Sequence, residues 1–248
     1  LALTRKKKFK KSSRSMPWVG SKAFMSELEE MKERTKIIKA FVRRAQYRKS
    51  FLAAEEAYRV FPGNRIAIYN YAVALGDCDE WAKGSVRRSN VRKSVFLLRK
   101  LLSRARGVDP RWVSSWRNEY FWFSNQPYKQ WSLGLADSKK REGAGYYSMG
   151  VGAVMISVGY YKRGKPILAR NWAKKAVFAW QKYFKVVPNY YNAFCWYARA
   201  QGLGGDLDGM TRSFEKAAKL SGRSLNYVEF VEARKDVLQA LAPYQESL

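Results

Sequence analysis

The chain has 248 residues, 47% of them hydrophobic and 15% aromatic, and carries 48 Lys and Arg against 20 Asp and Glu, a formal charge of +28. That aromatic content excludes a wholly disordered basic protein. The absence of any histidine excludes Ser/His and Cys/His catalytic arrangements and removes the commonest metal ligand.

A charge of this size concentrates polyanions at the surface and exceeds the roughly 2–8 units that solubility alone asks of a small domain. It is uneven: residues 1–143 hold 33 basic and 13 acidic side chains, residues 144–248 hold 15 and 7. The front half is therefore the expected phosphate-binding part. Cys78 and Cys195 stand 117 positions apart with no ligand-type pairing, and read as free thiols in a reducing compartment.

Residues 1–20 contain Arg5, Lys6, Lys7, Lys8, Lys10, Lys11 and Arg14 with no apolar period, the pattern of a basic extended arm that an RNA would order, or of a plain tail or targeting remnant. A basic N-terminus also fits what remains after removal of an organellar presequence, so an intracellular location, in a mitochondrion or plastid, is the expectation. No apolar run follows the cations as a secretory signal would need.

A long helix is predicted to start near Ser26, where Ser26-Glu27-Leu28-Glu29 has capping-box spacing. Leu28, Met31, Ile38, Val42, Ala45 and Leu52 give its buried stripe; Lys32, Lys36, Lys39 and Arg43 step by 4, 3 and 4 as a separate basic ridge, either a phosphate contact or a solvated face. Pro62-Gly63 closes this segment, and Ile68, Tyr71, Ala72 and Leu75 begin the next before a break at Gly76-Asp77. Residues 79–90 read as an inserted loop. The helix after it is predicted to bury Val91, Val95, Leu98, Leu102 and Ala105 and to line one edge with Arg92, Arg99 and Arg106, flanked by Lys93 and Lys100. Such an edge runs ~20 Å at 1.5 Å rise per residue and can follow several phosphates.

Trp112, Trp116, Tyr120, Phe121, Trp122, Phe123, Tyr128 and Trp131 form an aromatic segment after Pro110. Most are expected in the core, and Trp112 beside Arg111 or Trp116 beside Arg117 is the candidate for stacking on a base. Residues 143–161 hold no charge and are framed by tyrosines, as a membrane span would be. Five glycines and no leucine favour a buried helix instead, and no membrane partner is expected.

Residues 188–222 hold a phrase that recurs earlier in weaker form: Pro188, Phe194, Tyr197, Ala198, Gly205-Asp206, Met210, Phe214, Ala217 and Gly222. These offsets resemble a tetratricopeptide unit, with a likeness that covers 189–222 well and 50–76 and 145–188 in part. Tyr71-Ala72, Tyr197-Ala198 and Phe214-Glu215 resemble the related half-tetratricopeptide units of RNA-processing proteins nearly as well. The resemblance implies an all-α, antiparallel helix-hairpin solenoid whose units bury their apolar stripes only by stacking. A helix from Ser224 to Leu241, with Leu225, Val228, Val231, Val237, Leu238 and Leu241 as its apolar stripe and Glu229, Glu232 and Asp236 outside, is predicted to cap it.

The organisation expected is thus a basic arm over 1–20, a basic irregular helical region over 21–143, and tetratricopeptide-like repeats over 144–248. The functional expectation is a non-catalytic RNA-binding scaffold without a cofactor, a component or assembly factor of a ribonucleoprotein such as an organellar ribosome. Its C-terminal repeats would meet neighbouring proteins. The alternative is a protein-interaction scaffold or a peripheral subunit of a membrane or viral assembly. An enzyme acting on nucleic acid would need a metal at Asp77, Asp79 and Glu80.

Overall fold

Proline occupies the first turn of three helices, where its missing N–H would have no partner in any case, and glycine or asparagine marks most of the breaks between them. The computed structural model describes residues 22–247 except 45, 79, 80 and 140, and among these it is all-α, with no strand. The basic arm predicted over 1–20, with Arg5, Lys6, Lys7, Lys8, Lys10, Lys11 and Arg14, lies outside the described residues. The helices are α1 Lys22–Arg43, α2 Tyr47–Val60, α3 Arg65–Gly76, α4 Gly84–Ser103, α5 Pro110–Phe123, α6 Pro127–Ser138, α7 Glu142–Tyr161, α8 Pro166–Val186, α9 Tyr191–Leu203, α10 Leu207–Ser221 and α11 Val228–Leu241, before a 3-10 turn Ala242–Ser247. They fall into two compact units, one up to Arg87 and one from Arg88, within α4.

In the first unit α1 packs on α2 and α3, burying Met31, Ala57 and Ala67 against Phe61 and Ile66. Asn64 caps α3 by accepting from the Ile66 and Ala67 amides at 2.9 and 3.2 Å, and its amide donates to Glu27 on α1 at 2.9 Å. The single long helix expected from Ser26 to Pro62 is two helices here. Ser26 sits inside α1, so its capping-box spacing caps nothing. The break falls after Arg43, where the Gln46 amide donates to the Phe41 carbonyl at 2.9 Å. No proline or glycine marks it. Leu52, assigned to the buried stripe, is on α2 and exposed, because the helix that was to carry it has already turned back.

The second unit is organised around α7, which packs between α6 and α8 and also touches α9 and α11. Its glycines are spacers. A Cβ at Gly145 would strike the Ser138 backbone, one at Gly150 the Trp180 ring, and one at Gly152 would lie 2.9 Å from both Pro127 O and Trp131 N; Gly134 of α6 would meet Met149 N at 2.6 Å. Neighbouring helices thus approach α7 backbone to backbone, as small residues permit. The uncharged stretch 143–161 is a buried helix, and among the described residues no helix is long and apolar enough to cross a membrane. On α8, Trp180 is fully buried and Phe184 stacks on Phe194 of α9 at 4.1 Å between centroids.

The phrase that carries the tetratricopeptide resemblance is the α9–α10 hairpin: Phe194, Ala198, Met210, Phe214 and Ala217 are buried, and Asp206 caps α10 by accepting from Gly209 N at 2.8 Å. Gly222 closes the hairpin at φ +67°, a left-handed conformation that suits a residue without Cβ. Beyond it α11 starts at Val228, later than the expected Ser224, and buries Phe230, Ala233, Val237 and Leu241. Its outside is not wholly polar: Val231 and Leu238 face solvent, a departure from the polar cap expected.

Candidate functional site

Six cations, Arg87, Arg88, Arg92, Lys93, Arg99 and Lys100, and no carboxylate lie on α4. The helix starts at Gly84, so most of the expected loop 79–90 is its first turns. Ser94, Leu97, Leu98 and Leu101 are its buried residues, so Leu98 of the expected stripe is buried while Val91, Val95, Leu102 and Ala105 are half-buried, and the buried face is turned by about 70° from that stripe. The opposite side presents Arg88, Arg92 and Arg99 around Phe96, which is 64% exposed, with Lys93 exposed and Lys100 half-buried beside them. Arg106 lies past the helix end in a turn before Gly107. The straight basic edge therefore runs from Arg88 to Arg99, about 16 Å at 1.5 Å per residue.

The other predicted contacts are partly engaged within the chain. Arg111 is exposed and chelates Asp109, with Nη2 at 2.6 Å and Nε at 2.9 Å from Oδ2; these hydrogen bonds hold the carboxyl below its ordinary range and raise the guanidinium. Asp109 also caps α5 through the Arg111 amide at 2.8 Å. Trp112 beside it is exposed, whereas Trp116 is buried. On α1, Lys32 and Lys39 are exposed and Lys36 meets Glu33 at 2.5 Å, so one cation of the ridge is compensated within its own helix; the side chain of Arg43 lies outside the described set. These α1 residues and Arg87 belong to the first unit, and the α4 cations from Arg88 to Lys100 to the second.

Sequence reasoning missed two surfaces on the second unit. The first is the outer side of α8, where Ile167, Asn171, Lys174, Phe178, Gln181 and Lys185 follow one another at helical spacing, Ile167 75% and Phe178 52% exposed. Five cations and no acid decorate α8; Lys175 Nζ lies 4.1 Å from the centre of the Trp172 ring and Lys182 Nζ 5.4 Å from that of Phe178. The signal was available in the series Ile167, Lys174, Phe178, Lys185, which runs alongside the alanines of the core stripe. The second is an open groove of about 730 Å³ along α10 and α11.

Burial is the main influence that pushes the Cys195 thiol up to about 12, keeping it protonated and poorly nucleophilic at neutral pH. Cys78 is buried too. Among the described residues no group of three or more His, Cys, Asp and Glu could hold a metal ion; Asp79 and Glu80 are outside them, and Asp77 ends α3.

No known family profile and no curated protein matches the chain. Among solved structures it is similar to MamA from residue 41 onward of Desulfovibrio magneticus RS-1, at 14% identity and TM-score 0.41, covering 77% of this chain and 95% of that one. YrrB, described as a TPR protein with an unusual peptide-binding site, is similar at 12% identity and TM-score 0.38, covering 86% and 98%. PilW, a type IV pilus biogenesis factor, is similar at 18% identity and TM-score 0.41, covering 87% of each chain.

Proposed function

We propose that this chain is a non-catalytic helical scaffold that binds another protein within a larger assembly. The observation that carries this reading is the outer side of α8, with Ile167 and Phe178 more than half exposed between lysines. Large apolar side chains repeated along one helix face, rimmed by one sign of charge, are the mark of an interaction surface. The +28 charge selects an anionic partner surface and steers it in. Crosslinking in the native complex after nuclease treatment, with attached peptides mapped, is the test. Crosslinks from Lys174, Lys175 and Lys185 to other proteins are expected; a complex that falls apart on nuclease treatment alone would refute the reading.

A second reading, RNA binding, is favoured by the exposed side of α4, where Arg88, Arg92 and Arg99 surround Phe96 with no carboxylate on the helix. Guanidinium groups there would neutralise phosphates and Phe96 would offer a stacking face. In this reading the chain belongs to a ribonucleoprotein of an organelle, such as its ribosome, and the N-terminal cations add to the contact.

A further inference from the structure

From the groove along α10 and α11, we infer a docking site for an amphipathic helical segment of a partner protein that carries carboxylates beside its apolar stripe. This deepens the protein-binding reading and rests on it. The floor is Phe214 and Phe230; the walls carry Leu225, Val231 and Leu238, each between 36% and 48% exposed, and the rim carries Arg234 and Lys235. No carboxylate lines it.

The geometry of α11 explains why. At 100° per residue, Phe230, Ala233, Val237 and Leu241 point to the core. Val231, Arg234, Lys235 and Leu238 are centred about 100° to one side, and Glu229, Glu232 and Asp236 about 110° to the other. Two of those acids are engaged away from the groove, Glu229 with Arg223 at 3.2 Å and Asp236 with Arg199 at 3.7 Å. A helix with acids enough to neutralise its own cations has thus segregated them. Val231 and Leu238 stand two turns apart, about 10.5 Å, the repeat that apolar residues seven apart on a partner helix would match, with Arg234 and Lys235 between them for its carboxylates.

Charge complementarity excludes the competing occupants. An isologous contact with a second copy would bring the same two cations into one interface. A phosphate backbone would lose hydration against two phenylalanines and three aliphatic side chains with two cations in return. An acidic amphipathic helix loses neither.

The test uses the full 248-residue chain and a labelled 16-residue peptide of leucine, alanine and glutamate with leucines seven apart, read by fluorescence anisotropy. A second peptide replaces every glutamate by lysine. The acidic peptide is expected to bind, and Arg234→Glu with Lys235→Glu, or Leu238→Asp, is expected to weaken it at least tenfold with unchanged helicity by circular dichroism. Lys49→Gln with Arg59→Gln, exposed cations on α2, is expected to leave it unchanged, and the basic peptide is expected not to bind. Equal binding of both peptides, equal loss in the α2 variant, or no loss in the groove variants would overturn the proposal. So would a dimer seen by sedimentation that Leu238→Asp abolishes. If the groove fails while native crosslinks from Lys174 and Lys175 to other proteins persist, only the docking site is lost.

Discussion

Gly145 on α7 is the position where one methyl group should do most harm. A Cβ there would meet the backbone of Ser138 and Asp137 on α6, atoms that move only if the helix does, while a Cβ at Gly143, one residue into the same helix, would find ordinary contact with Val186 at 3.5 Å and Val187 at 3.6 Å. Replacing glycine by alanine in a helix gains about 0.5–1 kcal/mol in conformational entropy, and forcing a methyl into a packed interface costs about 1–3 kcal/mol. At Gly145 the overlap is with backbone, so the upper part of that range applies, and the net effect is a loss of about 2 kcal/mol. Gly143→Ala lacks the clash and should be neutral or stabilising by a few tenths, ~0.5 kcal/mol at most near a helix start. Urea unfolding followed by circular dichroism at 222 nm reads both; in a domain of this size 2 kcal/mol lowers Tm by about 4–8 °C. If Gly145→Ala were as stable as the parent, the close approach of α6 and α7 would be wrong, and with it the account of the uncharged stretch as a packing helix.

Other outcomes follow from named contacts. Asn64→Ala removes both the α3 cap and the bond to Glu27, and a loss of about 1–2 kcal/mol is expected, with Asn64→Asp retaining the cap; urea unfolding distinguishes them. Cys195 is held protonated by burial up to about 12 and Tyr183, also by burial, up to about 12. Because both are raised above their unfolded values, the folded state binds more protons, and stability present below about pH 9 should fall progressively as pH rises towards 12. The same burial predicts that Cys195 resists alkylation at pH 8 until the chain is unfolded. If α4 binds RNA, replacing Arg92, Lys93, Arg99 and Lys100 by Gln should reduce the slope of log affinity against log salt by about 0.7 for each single-stranded phosphate that is no longer neutralised. An unchanged slope would reject that face.

Much of the fold was legible because helices are local. The α9–α10 hairpin follows from an apolar set at helical spacing with an Asp cap and a glycine stop, and each of those features acts within a few residues. The burial of 143–161 was readable from composition, since a stretch with five glycines and no leucine can approach neighbours closely. The turn after Arg43 was not readable, because nothing in Arg44 to Gln46 breaks a helix; α1 and α2 separate so that Met31 and Ala57 can share one core. The candidate surfaces were partly readable: Arg92 and Arg99 share a face by arithmetic, but Arg106 was added by extending the period past a helix end that Gly107, at φ +72°, helps to place.

Charge, helical content and the identity of each apolar stripe belong to the sequence, which sets them through composition and a period of 3.6. Which stripe is covered belongs to the tertiary structure. α8 and α11 each carry apolar residues over a wider arc than their neighbours enclose, so Phe178, Val231 and Leu238 stay in solvent while Trp180, Val237 and Leu241 do not. The physical reason is that hydrophobicity is a property of a side chain, whereas burial is a property of the elements packed against it, and those come from residues distant in the chain.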